Sequence, residues 1–188
     1  MTTRPEDLAL FARPLIYLRH GETKSNVAEL IAGSWDVALT RKGCAQAGQA
    51  ALKLRNTGIT GIYSSTLQRS RETAAIVARE LALPVTAIPE LNERSWGELE
   101  GKPRASRVPG TTPPGAEPPQ AFMERALRGL ALIDTVLPLI VAHSGIYRVL
   151  CRTLGLAEPE EPVGNCTPLL FLPPAPGFRI WRVEAIAE

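Results

Sequence analysis

Histidine is scarce in this chain, two in 188 residues, and its three cysteines, Cys44, Cys151 and Cys166, lie far apart with no C-x-x-C. That pattern offers neither a zinc ribbon nor a disulfide framework, so the cysteines read as buried reduced thiols in a cytoplasmic protein. An excess of either charge is also missing. The net charge is +2, with Lys and Arg scattered among Asp and Glu, which excludes the basic patch that a nucleic-acid partner requires. No apolar segment approaches the ~20 residues of a membrane span. The opening "MTTRPEDLALFARP" carries acidic residues and no long apolar run, so no signal peptide is expected. What remains is an ordinary globular composition, 45% hydrophobic and 21% charged. One domain over residues 1–188 is expected, with residues 1–12 as a loose arm.

Periodicity and punctuation place the elements. Leu15 to Leu18 is an apolar run of strand length. Thr40 is the N-cap residue of a helix from Arg41 to about Asn56, with Gly58 beyond its end. "ITGIYSS" predicts a second strand. "STLQ", Ser65 to Gln68, has the capping-box pattern for a helix to about Leu83, with Leu67, Ala74, Ala75, Ala78 and Leu81 on one face. Pro84 ends that helix, and "PVTAIPEL" reads as a third strand. Six prolines in the 17 residues from Pro103 to Pro119 exclude a helix or inner strand and predict a surface loop. A helix from Pro119 to Val136, a strand "LPLIVAH" and a helix from a Ser144 cap to about Leu154 follow. "CTPLLFL" and "FRIWRVEAI", joined by "PPAPG", predict a closing hairpin. Strands alternating with helices predict a three-layer α/β/α sandwich around a mostly parallel central sheet.

In such a sheet, ligands bind beyond the carboxyl ends of the strands. His20 and His143 both fall there, each ahead of a glycine-containing turn that leads to a helix. Helix N-termini attract anions through their free N–H groups and the macrodipole. Arg19 accompanies His20, and Arg69 lies in the first turn of the helix after "IYSS". Two arginines and two histidines at one edge describe a site for a small, strongly charged anion. A phosphoryl group fits, because a guanidinium grips its oxygens as a fork. A histidine pair can also bind metal, but no third Asp, Glu or His accompanies it, and the arginines would repel a cation.

"LRHGETKSN" resembles the signature of the histidine phosphatase superfamily, the phosphoglycerate mutase-like proteins. "GSWDVALTRKG", "YSSTLQRSRETA", "LNERSWGELEG", "PPGAE" and "VAHSGIYRVL" continue the match in the family's order, from Leu18 to Leu150. The resemblance implies a phosphoglycerate mutase-like fold and roles for particular residues. His20 would be the nucleophile. Arg19, Arg69 and His143 would hold the phosphoryl oxygens, with Asn26 and Thr23 adding hydrogen bonds. Glu93 would protonate the departing oxygen. Ser144, where glycine is common, is counted among the substrate-binding residues. The family needs no metal or other cofactor. The expected activity is that of a histidine acid-type phosphatase, a phosphoric monoester hydrolase acting on a small phosphorylated metabolite.

Departures from the pattern keep rivals open. The segment after "LEGK" is short, and the basic pair with which mutases grip a carboxylated substrate is not evident; Arg104 and Arg107 are stand-ins. Ala116 replaces a usual glycine, and "FRIWRVEAIAE" reads as a strand where mutases have a shielding tail. Trp35 and Trp96 are candidates for substrate contact, with core packing the favoured reading. The rivals are a phosphoglycerate mutase, a protein phosphohistidine phosphatase and a non-catalytic phosphate-binding scaffold. The scaffold is disfavoured because binding alone does not require Glu93. The oligomeric state is left open.

Overall fold

Two central strands decide the layering, because both of their faces are apolar. In β1 (Leu15–Arg19), Leu15 and Tyr17 enter one core cluster while Ile16 and Leu18 enter another. In β4 (Pro138–Ala142), Ile140 and Ala142 divide from Leu139 and Val141 in the same way. A period of two with apolar residues on both sides requires cover on both sides. One face is covered by α2 (Arg41–Leu54) and α3 (Gln68–Leu81). The other is covered by α4 (Pro119–Ala131) and α5 (Ser144–Thr153). A short α1 (Lys24–Val27) follows β1. The computed structural model describes residues 8–158, 163–175 and 180–187.

With β2 (Gly61–Ser64), β3 (Val85–Ala87), β5 (Pro168–Leu172) and β6 (Arg182–Ala185), the strand order is β3-β2-β4-β1-β5-β6. The first four in that order pair in parallel; β5 and β6 are antiparallel, as the expected hairpin requires. Residues 176–179, which include the end of "PPAPG", lie outside the described residues. Among the described residues, no helix is long and apolar enough to cross a membrane.

Several local expectations fail for identifiable reasons. The arm is not loose where it is described: Ala9–Ala12 forms a 3-10 turn, and Leu10 and Phe11 are buried, Phe11 edge-on to Trp181. Residues 1–7 lie outside the described residues. "STLQ" makes no capping box. The Ser65 hydroxyl meets the His143 ring and accepts from Leu67 N, while Gln68 N donates to Asp36. Leu67, not Ser65, is the N-cap residue of α3. His143, not Ser144, occupies the N-cap position of α5. On α3, Thr73 and Val77 are buried and Ala75 is exposed. The third strand is only three residues long, and Pro89 opens a 3-10 turn, since proline cannot donate to the ladder. Helix α4 stops at Ala131, short of Val136. Cys44 is exposed, whereas Cys151 and Cys166 are buried.

Candidate active site

β1 and β4 are parallel neighbours, so the residues that follow them meet at one sheet edge. The His20 N–H continues the ladder by donating to Ala142 O at 3.0 Å. The His20 and His143 rings lie 5.3 Å apart between centroids. The turn after His20 then passes against the start of α2. A Cβ on Gly21 would lie 2.5 Å from Gly43 O, and one on Gly43 would lie 2.2 Å from Glu22 O. Both glycines are therefore required by close backbone approach, which accounts for "RHG" and "RKG" together. Thr23 caps α1, and Asn26 Oδ1 accepts from Thr23 N at 3.0 Å.

Seven of the eight expected site residues line one cleft: Arg19, His20, Thr23, Asn26, Arg69, Glu93 and Ser144. His143, the eighth, is completely buried beside His20. Trp96, Arg104 and Arg107 line the same cleft. The assignment of the tryptophans to the core does not hold. Trp35 is 51% exposed. Trp96 lies between Arg94 and Arg107, whose guanidinium carbons sit 4.5 and 4.0 Å from its ring centroid.

Hydrogen bonding sets the protonation of His20. Its Nδ1 is 2.8 Å from Gly21 O, and a carbonyl can only accept, so Nδ1 carries the proton and Nε2 keeps a lone pair. Burial, and then the charges of Arg69 and Arg19, hold the ring's pKa well below the usual imidazole value. Burial, and then Arg69 and His20, do the same for His143. Both rings are neutral at pH 7. At His143, Nε2 is 2.7 Å from Ser65 Oγ. That oxygen also accepts Leu67 N–H, and with its own hydrogen assigned to Nε2 the ring proton of His143 falls on Nδ1.

The arginines are fixed by backbone carbonyls rather than by carboxylates. Arg69 donates to Trp35 O at 2.7 Å and to Gly33 O at 2.8 Å, and Arg19 donates to Val163 O at 2.6 Å. Burial lowers the pKa of Arg69 to about 10, opposed by the charges of Glu93 and Asp36, so it stays cationic at pH 7. Among the described residues, three buried nitrogens of this cluster have no hydrogen-bond partner: Arg19 Nε, Arg69 Nε and His143 Nδ1. Buried donors are rarely left unpaired, and two of these belong to arginines that line the cleft with His20, a setting that suits an anion. Glu93 enters from the loop after the 3-10 turn Pro89–Leu91. Its Oε2 accepts from Gly145 N at 3.0 Å, and its Oε1 accepts from Arg94 N at 2.9 Å. A Cβ on residue 145 would lie 2.0 Å from Glu93 Oε1, so the glycine of "HSG" makes room for this carboxylate.

Asn165, Ser65 and Arg125 escaped the sequence reading. Asn165 Nδ2 donates to His20 O at 2.7 Å and to Asn26 Oδ1 at 3.3 Å. No local spacing marks it, because its partners lie far away in the chain. Among the described residues, no group of three or more His, Cys, Asp or Glu could hold a metal ion.

The neutral, buried histidines predict a stability trend. Below ~6.5 the unfolded chain protonates both imidazoles while the folded chain does not, so the unfolded state binds more protons. Stability should fall as pH drops below that value, with the melting temperature lower at pH 5.5 than at pH 7. An unchanged melting temperature across that interval would contradict the neutral assignment.

Residues 15–167 match the family model for the histidine phosphatase superfamily, branch 1. The chain belongs to the histidine phosphatase superfamily. Among its relatives is a Bacillus subtilis protein named "Uncharacterized phosphatase PhoE", 31% identical over 76% of this chain and 78% of that protein. Another, from Yersinia pestis, is named "Probable phosphoglycerate mutase GpmB" and is 37% identical over 81% of each chain. Among solved structures of the superfamily, a mycobacterial glucosyl-3-phosphoglycerate phosphatase in complex with VO3 superposes with a TM-score of 0.75. It is 25% identical, and the match covers 94% of this chain and 98% of that one. Both phosphatases and mutase-like proteins of the superfamily thus stand close to this chain.

Proposed function

We propose that the protein is a metal-independent histidine acid-type phosphatase that hydrolyses small phosphomonoesters through a phosphohistidine at His20. The observation that carries this reading is the His20 ring itself, its Nδ1 proton held by Gly21 O and its Nε2 lone pair left for attack, in a cleft that Arg19 and Arg69 also line. Nε2 attacks phosphorus, the ester P–O bond breaks, and Glu93 gives its proton to the leaving oxygen. Water then attacks phosphorus, the P–N bond breaks and returns its electron pair to Nε2, the water's proton passes to a phosphoryl oxygen, and solvent reprotonates Glu93. The phosphoryl group arrives with a charge of about −1.5 to −2. Arg19, Arg69 and the His143 N–H compensate the oxygen charge, which is the larger part of catalysing such a transfer. Arg104 and Arg107 at the same cleft favour a substrate with a second anionic group, a small phosphorylated metabolite in the cytoplasm.

The mutase reading has that same arginine pair in its favour. A mutase must keep water from its phosphohistidine until a second hydroxyl arrives, which calls for a cover. Here the candidate cover is the short, proline-rich segment Pro103–Glu117, with only one 3-10 turn, Arg104–Ser106. Water should therefore reach phospho-His20. Given 3-phosphoglycerate with catalytic 2,3-bisphosphoglycerate, in EDTA, the protein should release inorganic phosphate faster than it forms 2-phosphoglycerate. Rapid isomerisation with little phosphate release would give the mutase reading the field. Activity that vanishes in EDTA and returns with added metal would refute the metal-free mechanism.

A further inference from the structure

Glu93 stands on an irregular segment, and no strand or helix hydrogen bonds fix its backbone. We propose that Arg125, on α4, is the positioning residue that sets Glu93 in place for proton transfer. Its guanidinium is used completely. Nη1 donates to Glu90 O at 2.7 Å and to Asn92 O at 3.0 Å, and Nη2 donates to Glu93 O at 3.4 Å. The remaining donors fork onto Glu117, with Nε to Oε1 at 2.8 Å and Nη2 to Oε2 at 2.7 Å.

Glu117 secures the other side of the same segment. Its N–H donates to Ser95 O at 3.0 Å, and its carbonyl accepts from Arg94 Nε at 2.7 Å. Arg125 therefore holds the chain up to Glu93, and the main chain of its ion-pair partner Glu117 holds it beyond. The carboxylate it aims has little latitude, since it fills the space that a side chain at residue 145 would need. A planar fork with five donors suits this set of acceptors, whereas a lysine ammonium is a point charge that cannot span them. Arg125 does not line the cleft and touches no reacting atom. Its influence on the reaction runs through Glu93.

This inference rests on Glu93 being the proton donor, and the experiment separates the two. Glu93→Gln, Arg125→Lys and the double variant are assayed on glycerol phosphate, whose alkoxide needs a proton, and on p-nitrophenyl phosphate, whose phenolate does not. Displacing a catalytic group by an ångström costs ~10²-fold, so Arg125→Lys should lower kcat on glycerol phosphate by about 10- to 100-fold. KM and the p-nitrophenyl phosphate rate should stay near native. In the Glu93→Gln background, Arg125→Lys should cause no further loss, because residues acting through one group are not additive. Equal loss on both substrates, or a loss that recurs without Glu93, would make Arg125 merely structural and overturn the proposal, as would no loss at all. If Glu93→Gln itself fails to discriminate between the substrates, the proton-donor reading falls and takes the inference with it. Should Arg125→Lys not fold, Glu117→Gln, which removes the fork but keeps the guanidinium, is read by the same criteria.

Discussion

Replacing His20 with alanine should eliminate a labelled phosphoenzyme that the native protein forms with a 32P-labelled phosphomonoester, and should lower turnover on the order of 10⁴-fold or more, the scale seen when a nucleophile is deleted. His20 is placed for this by backbone contacts on two sides. Its N–H donates to Ala142 O at 3.0 Å, and its carbonyl accepts from Asn165 Nδ2 at 2.7 Å. The ring is 5% exposed and close to two cationic side chains, so the attacking nitrogen is unprotonated at neutral pH. A phosphoryl group on imidazole nitrogen is acid-labile and base-stable, unlike a serine or threonine ester, and the quench should avoid acid. Alanine leaves the main-chain contacts intact, so the variant should melt near the native temperature. Label retained by His20→Ala would place the covalent step on another residue.

The second large effect is expected at Glu93, and it depends on the leaving group. Glu93→Gln should slow hydrolysis of glycerol phosphate by about 10²- to 10⁴-fold, the usual contribution of a positioned general acid. The same variant should hydrolyse p-nitrophenyl phosphate at nearly the native rate, because phenolate departs without a proton. Glutamine preserves the shape, and its carbonyl oxygen can still accept from Gly145 N, which lies 3.0 Å from Oε2 in the native protein. The change therefore removes the proton and one acceptor, since the amide NH2 then faces Arg94 N, whose bond Oε1 accepts at 2.9 Å, and that second loss is common to both substrates. Equal losses on the two substrates would reassign Glu93 from proton donor to structural support of the loop.

The site was legible in the sequence because its cationic half comes from strand ends and one helix start. The runs before His20 and His143 mark the carboxyl ends of β1 and β4, and Arg69 sits one residue inside α3. Those positions follow from periodicity, and the sheet does the rest. Groups that answer a distant partner were not legible. Ser65 looked like a helix cap, yet its hydroxyl serves the His143 ring, which arrives with β4 from 78 residues away. Arg125 drew no notice, because only folding brings Glu117 and residues 90–93 against it. Leu10 and Phe11 fell within the supposed arm, but the face of β1 that carries Leu15 and Tyr17 needs their cover. Trp35 was read as core, whereas its carbonyl holds Arg69 and its ring stays outside.

The glycine contact between residues 21 and 43 divides the molecule into a part that cannot drift and a part that can. Around it the turn after β1 and the start of α2 touch backbone to backbone, so neither residue can gain a side chain without displacing the nucleophile's own turn. The grip on the phosphoryl group is thereby inherited as a block. In the proposed reaction the ester's other half would face Trp96, Arg104 and Arg107, which stand on loop and 3-10 turn away from that contact. Loops of this kind accept exchange far more readily than packed turns. New substrates can thus be acquired by rewriting Trp96, Arg104 and Arg107 while Arg94 and Glu117 are kept, and two descendants of one ancestor can part ways in metabolism while their reaction chemistry stays the same.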